Sequence, residues 1–125
     1  MRTPRQGLGD AGERLAQQVL GRHGYRIREV NRSFDGLGEL DIVAQDGDCL
    51  VFVEVRTRRG DSYGTPEDSL TPRKRSRLVS LANAWLEANG AESKPWRIDL
   101  VAVEMDRTGR LLRVEIVKNA VEDSE

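Results

Sequence analysis

The side chains in this sequence best suited to chemistry are three acids set among apolar residues: Glu39, Asp41 and Glu54. Carboxylates are hard oxygen ligands, and a few of them completed by water suit Mg²⁺ or Mn²⁺. A cation held in that way polarises a phosphate and activates a water for attack on it. Around the acids stand Leu40, Ile42, Val51, Val53 and Val55, the composition of strands that are half-buried or better. An acid on such a strand is costly unless it is paired or binds a cation. Two readings follow from the residues alone: a metal-binding hairpin, or acids at a strand mouth neutralised by Arg56 or Arg58.

Whether the acids meet depends on how the two strands are joined. Residues 39–44 and 50–57 read as strands linked through Asp46-Gly47. With those two residues as the turn, Val43 faces Leu50, Asp41 faces Phe52 and Glu39 faces Glu54. Side chains alternate along a strand. One face then carries Glu39, Asp41 and Val43 together with Leu50, Phe52, Glu54 and Arg56. Asp41 and Glu54 become diagonal neighbours, roughly 7–8 Å apart at the backbone. Glu39 opposite Glu54 is a like-charge pair that requires a compensating cation. A three-residue loop would instead send Asp41 and Glu54 to opposite faces.

The remaining elements are legible from capping and periodicity. Asp10 followed by Glu13 has the spacing of a capping box, after which Leu15, Val19 and Leu20 form a helical stripe ending at Gly24. Residues 25–30 form a short strand. Thr71-Pro72 opens a second helix that ends near Gly90, with Leu78, Leu81, Ala82 and Trp85 as its buried stripe. Residues 97–104 and 111–117 are two final strands. The order α-β-β-β-α-β-β specifies an α+β (α/β) domain with a mixed five-stranded sheet flanked by helices. It is expected to occupy residues 1–125 as one domain, with a core of about 9–121.

Charge and composition narrow the function classes. The net charge of −1 excludes a protein that coats nucleic acid over its whole surface. Residues 56–77, however, hold Arg56, Arg58, Arg59, Arg73, Lys74, Arg75 and Arg77 against Asp61, Glu67 and Asp68, a local charge of +4. Such a segment is either a phosphate-facing patch or a solvated loop and helix start. The apolar run at residues 50–53 is far too short to span a membrane, and no apolar stretch follows the basic N-terminus. A single cysteine, Cys49, leaves no internal disulfide and no cysteine-rich zinc site. A cytoplasmic protein with no membrane partner is expected.

The run Gly38-Glu39-Leu40-Asp41, followed by Val51-Phe52-Val53-Glu54-Val55-Arg56 and Arg58, resembles the signature of the YraN-like family. Those small bacterial proteins are similar to Holliday-junction resolvases of the PD-(D/E)XK nuclease superfamily. Gly12-Glu13, Ala16, Leu20, Gly24-Tyr25 and Asn31-Arg32 extend the match before this run. Thr71-Pro72-Arg73-Lys74, Ala82, Arg97-Ile98-Asp99 and Asn119-Ala120 extend it afterwards. The resemblance spans roughly residues 9 to 121. It implies a restriction-endonuclease-like fold and a Mg²⁺- or Mn²⁺-dependent endonuclease acting on DNA, selective for branched structures. Resolvases act as dimers, so it also implies a homodimer. The other class left open is a catalytically reduced nuclease fold that binds DNA or a protein partner without cleavage.

By this resemblance Asp41 and Glu54 take the metal-ligand positions and the Val55 backbone carbonyl supplies a further oxygen. Glu39 supports the site from behind, and Glu13 matches an additional acid, set against its capping-box reading. One position departs: the superfamily pattern ends in lysine, and Arg56 stands there. Arginine stays protonated, so it holds phosphate or transition-state charge but is no general base. Lys74, four residues before Leu78 on the helix, is the candidate replacement, or else a member of the exposed basic cluster. Arg58, Arg59, Arg73, Lys74, Arg75 and Arg77 are the nucleic-acid-binding candidates. Lesser features have simpler roles: His23 as a helix C-terminal cap, Trp85 as core and Arg97–Asp99 as a salt bridge. Asp99 is open to facing the same side as Asp41, and Tyr63 and Gly64 to contacting a nucleic-acid backbone.

Overall fold

In a computed structural model of the chain, residues 4–60 and 64–122 are described, with side chains from residue 9 onward. Tyr63 and Asp61 therefore lie outside the described residues. Helix α1 (Pro4–Arg22) precedes strands β1 (Arg26–Phe34), β2 (Gly38–Asp46) and β3 (Cys49–Arg59). A short 3₁₀ turn (Glu67–Ser69) leads into helix α2 (Pro72–Ala88), and strands β4 (Trp96–Met105) and β5 (Leu111–Val121) complete the chain. The five strands lie in the order β1-β2-β3-β4-β5. All neighbours are antiparallel except β3 and β4. That one parallel pair makes the sheet mixed, and it requires the crossover that α2 supplies.

Strand alternation divides the core between the two helices. Leu50 and Phe52 of β3 point to the side where Leu78, Leu81, Ala82, Trp85 and Leu86 of α2 pack. Val51 and Val53 point the other way, to Ala16 and Leu20 of α1 together with Val101 and Val103. Each fully buried Leu or Phe contributes roughly 1.5–3 kcal/mol to this packing. Helix α1 can lie close because Gly12 faces β3: a Cβ built there would stand 2.3 Å from Thr57 Oγ1. The opening of α2 is as its sequence specifies, with Thr71 Oγ1 accepting from the Lys74 N–H (3.3 Å) and Pro72 in the first turn.

Two expectations are corrected. The capping box at Asp10 and Glu13 does not exist, because α1 already runs from Pro4 and both residues lie within it. Weak helix formers such as Gly7 and Gly9 hid that earlier start. The hairpin turn is Gly47-Asp48 rather than Asp46-Gly47, since Asp46 pairs with Cys49 and Gln45 with Leu50. Gly47 has φ +60° while Asp48 stays out of the positive region, the pattern of a type II′ turn. Moving the turn by one residue slides the register by two, which preserves the faces of residues 42–46 and 49–53.

Candidate functional site

The corrected register brings the two acids closer than the sequence suggests. The β2–β3 ladder runs to Ile42↔Val53, and one step beyond it Asp41 comes level with Glu54 rather than diagonal to it. Glu39 is accordingly not opposite Glu54; it pairs across β1 with Ser33. The regular alternation of β2 also breaks here. Leu40 packs on the α2 side while Ile42 packs on the α1 side, so Asp41 lies where the strand changes face. Its Oδ2 accepts from the Val55 N–H at 2.9 Å, a side-chain bond in place of a ladder bond. Val55 thus enters the site through its amide.

From this point the site has two flanks. On the α2 side, Glu54 is only 14% exposed and its Oε2 lies 3.4 Å from Arg56 Nη1. Arg56 is itself fixed: its Nε donates to Ser69 Oγ (2.8 Å), and the buried Ser69 hydroxyl donates to the Pro66 carbonyl (2.6 Å). Burial first, then the Asp41 charge and a hydrogen bond with Asp41, push the Glu54 carboxyl up to about 8 against the pull of Arg56. On the α1 side, burial and the charges of Asp41 and Glu39 raise Glu13 as well. Four carboxylates, Glu13, Glu39, Asp41 and Glu54, therefore gather at the mouth of β2 and β3 from three elements.

The cations divide just as clearly. Lys74 is half-buried, whereas Arg73, Arg75 and Arg77 on the same helix are exposed. Arg56 beside it is the main cause that lowers the Lys74 ammonium, followed by burial and Arg58, while Glu54 opposes them. Lys74 therefore sits among Glu54, Arg56 and Arg58 rather than in the solvated cluster. Among the described residues the buried Arg58 Nε has no hydrogen-bond acceptor. Arg59 lies apart, donating to the Arg107 carbonyl, and Arg75 donates to the Leu70 carbonyl at 3.0 Å.

Other candidates have structural partners. The ring nitrogen of His23 lies 2.8 Å from the Val19 carbonyl, as a helix-end cap would. Trp85 is buried against Phe52, and Trp96 packs on the other side of the same ring. Asp99 does not share a face with Glu54. It is fully buried on the α1 side, accepting from Tyr25 Oη (2.8 Å), Arg97 Nε (2.9 Å) and the Asn119 N–H (2.9 Å). Two contributors went unrecognised in the sequence. Ser69 carries no motif, and Asn31 is visible only through its neighbours. Assigned by its hydrogen-bond partners, the Asn31 amide nitrogen donates to Glu13 Oε1 (2.7 Å) and Glu39 Oε1 (3.1 Å).

Among the described residues no three His, Cys, Asp or Glu side chains form a ready-made metal-ligating group. The available donor set is the Asp41–Glu54 pair with backbone and water oxygens. Such a set fits a hard divalent cation that keeps much of its hydration.

Comparison with known proteins places the chain by sequence. Residues 12–103 match the model of uncharacterised protein family UPF0102. The chain belongs to that family. A UPF0102 protein of Symbiobacterium thermophilum is 48% identical over 90% of this chain and 94% of its own length. Those of Pelotomaculum thermopropionicum and Moorella thermoacetica are 46% and 44% identical, each over 96% of this chain and 99% of its own. The matched UPF0102 region runs from Gly12, where α1 meets β3, to Val103 within β4, so it contains all four carboxylates and Lys74. No helix among the described residues is long and apolar enough to cross a membrane.

Proposed function

We propose that this UPF0102 protein is a divalent-cation-dependent nuclease that acts on DNA phosphodiesters, with Mg²⁺ or Mn²⁺ held by Asp41, Glu54 and the Val55 carbonyl. The observation that carries this reading is the close carboxylate pair, which the single arginine Arg56 only partly compensates. Two acids side by side on central strands, one raised to about 8, are unfavourable together until a cation joins them. The bound cation would supply charge for a phosphate oxygen and an activated water. Arg56, anchored by Ser69, is aimed to hold the phosphate. Lys74, set among Glu54, Arg56 and Arg58, is the side chain we assign to proton transfer from water. The Arg58 charge, felt at Lys74, extends the basic surface, and the exposed Arg73 and Arg77 continue it along α2. No base-reading motif accompanies these groups, which favours recognition of DNA shape through phosphates, as in a branched junction bound by a two-fold dimer.

A second reading rests on Arg56 itself. Its guanidinium already pairs with Glu54, partly neutralising the carboxylate that the cation needs. That contact favours a protein that binds DNA without cutting it. A cleavage assay on four-way junctions, flaps, duplex and single strands with Mg²⁺ or Mn²⁺ separates the two. The nuclease reading requires cutting that falls at least ~10²-fold in both Asp41→Asn and Glu54→Gln. DNA binding with no cutting in either metal would establish the second reading instead.

A further inference from the structure

Asn31 has a conformation and a set of contacts that its place on an edge strand does not require. Among the described residues only Asn31 and Asn119 adopt positive φ without being glycine, at 52° and 53°. Left-handed backbone at such positions costs energy and persists where the surroundings demand it. For Asn119 the demand is visible, because its N–H is delivered to buried Asp99. For Asn31 the return lies in the side chain. The amide nitrogen spans from Glu13 on α1 to Glu39 on β2, whose other oxygen accepts from Ser33 Oγ at 3.3 Å. Continuing the β1–β2 pairs Val30↔Ile42 and Arg32↔Leu40, Asn31 comes level with Asp41. The amide therefore sits beside the cation-binding pair and ties together two acids whose own charges repel.

We infer that Asn31 is a positioning residue of the carboxylate site: anchored on Glu39, its amide fixes Glu13 beside Asp41. This rests on the reading of Asp41 and Glu54 as a cation site. Among the described residues Asn31 makes no hydrogen bond to either of those two side chains; it acts through Glu13. Without its donor, Glu13 has no hydrogen bond among the described residues to hold it against the negative charge of Asp41 and Glu39 and would swing away. The left-handed φ and the amide are separable, since glycine tolerates φ +52° as readily as asparagine does.

Mn²⁺ binding, measured by titration calorimetry on the full chain, tests this. Asn31→Gly keeps the backbone and removes only the amide, so the metal-free melting temperature should stay within a few degrees of wild type. The Mn²⁺ dissociation constant should rise roughly tenfold or more, because the Glu13 charge is no longer held beside Asp41. In a Glu13→Gln background the same change should weaken Mn²⁺ by less than about twofold, because the group it acts through is already altered. Wild-type Mn²⁺ affinity in Asn31→Gly overturns the inference while leaving the cation site standing. Fully additive losses in the double variant overturn the route through Glu13. A wild-type protein that binds no Mn²⁺ at all overturns the cation site, and the inference with it.

Discussion

Around Asp99 every carboxylate oxygen has its donors, whereas around Glu54 burial and a second carboxylate outweigh a single arginine. In the first cluster Arg97 bridges Asp99 and Asp46 (2.9 and 2.8 Å) while also donating to Tyr25 Oη (3.0 Å). Burial, with the Asp99 hydrogen bond next, raises the Tyr25 hydroxyl to about 12, so it stays a neutral donor. The Arg97 hydrogen bond lowers the Asp46 carboxyl, keeping it charged. This cluster is electrostatically closed and has nothing to offer a ligand. In the second cluster the shifts run the other way, and both Glu13 and Glu54 are raised. Two groups of acids on one sheet thus differ in kind: one is completed by the fold, and the other is left for something to complete.

The contrast can be broken most directly at Lys74. If it takes the proton from water, Lys74→Ala should lower the cutting rate about 10²-fold with the metal-free melting temperature little changed. An unchanged rate would remove Lys74 from the chemistry and leave only its charge. The next largest effect is one of stability. Asp99→Asn breaks the ion pair of a fully buried carboxylate with a mostly buried arginine and should cost ~3 kcal/mol in urea unfolding. Glu54→Gln should instead stabilise the metal-free protein, since it removes a desolvated charge beside Asp41. If both substitutions destabilised equally, the two clusters would not differ as described.

A pH series sharpens the same point. The Glu54 carboxyl loses its proton near 4.5 in the unfolded chain but near 8 in the fold. The folded state therefore binds more protons across that window. The contribution of Glu54 to stability is full below pH 4.5 and is lost as pH rises toward 8. Metal-free unfolding should show this decline, and Mg²⁺ should raise the melting temperature most at the alkaline end. Glu54→Gln should flatten the slope. The smallest expected effect concerns DNA affinity: Arg58→Ala and Arg73→Ala should each reduce the salt dependence of binding by about one unit of slope. Asp99→Asn should leave that slope untouched.

The hairpin was legible because its signals are local. Alternating Val and Ile marked both strands, Thr71-Pro72 marked the start of α2, and the order of elements followed from them. Acids among those apolar residues identified where charge would be anomalous. The turn was misplaced by one residue because Asp-Gly and Gly-Asp both make two-residue hairpins, and Asp46 is drawn into β2, where it pairs with Cys49 and binds Arg97. The closeness of Asp41 and Glu54 survived because the slip was even, although the alternation of β2 breaks at Asp41, with Leu40 packing on the side of Val43. Glu13 was left between a capping residue and a site acid for a different reason: a capping box and an interior helical acid share the same spacing, and only the helix start tells them apart.

By itself, then, the sequence determined the α+β order, the identity of the paired acids and the basic segment that follows them. These depend on neighbours in the chain, on period and on side-chain type. Only the tertiary structure decided which charges are balanced. It carried Asn31 from β1 to Glu13 on α1, brought Ser69 beneath Arg56, turned Lys74 toward Glu54, and enclosed Asp99 with Tyr25 and Arg97. The physical reason is that the ionisation of a carboxylate is set by burial and by charges within a few ångströms, and those neighbours come from strands and helices remote in sequence.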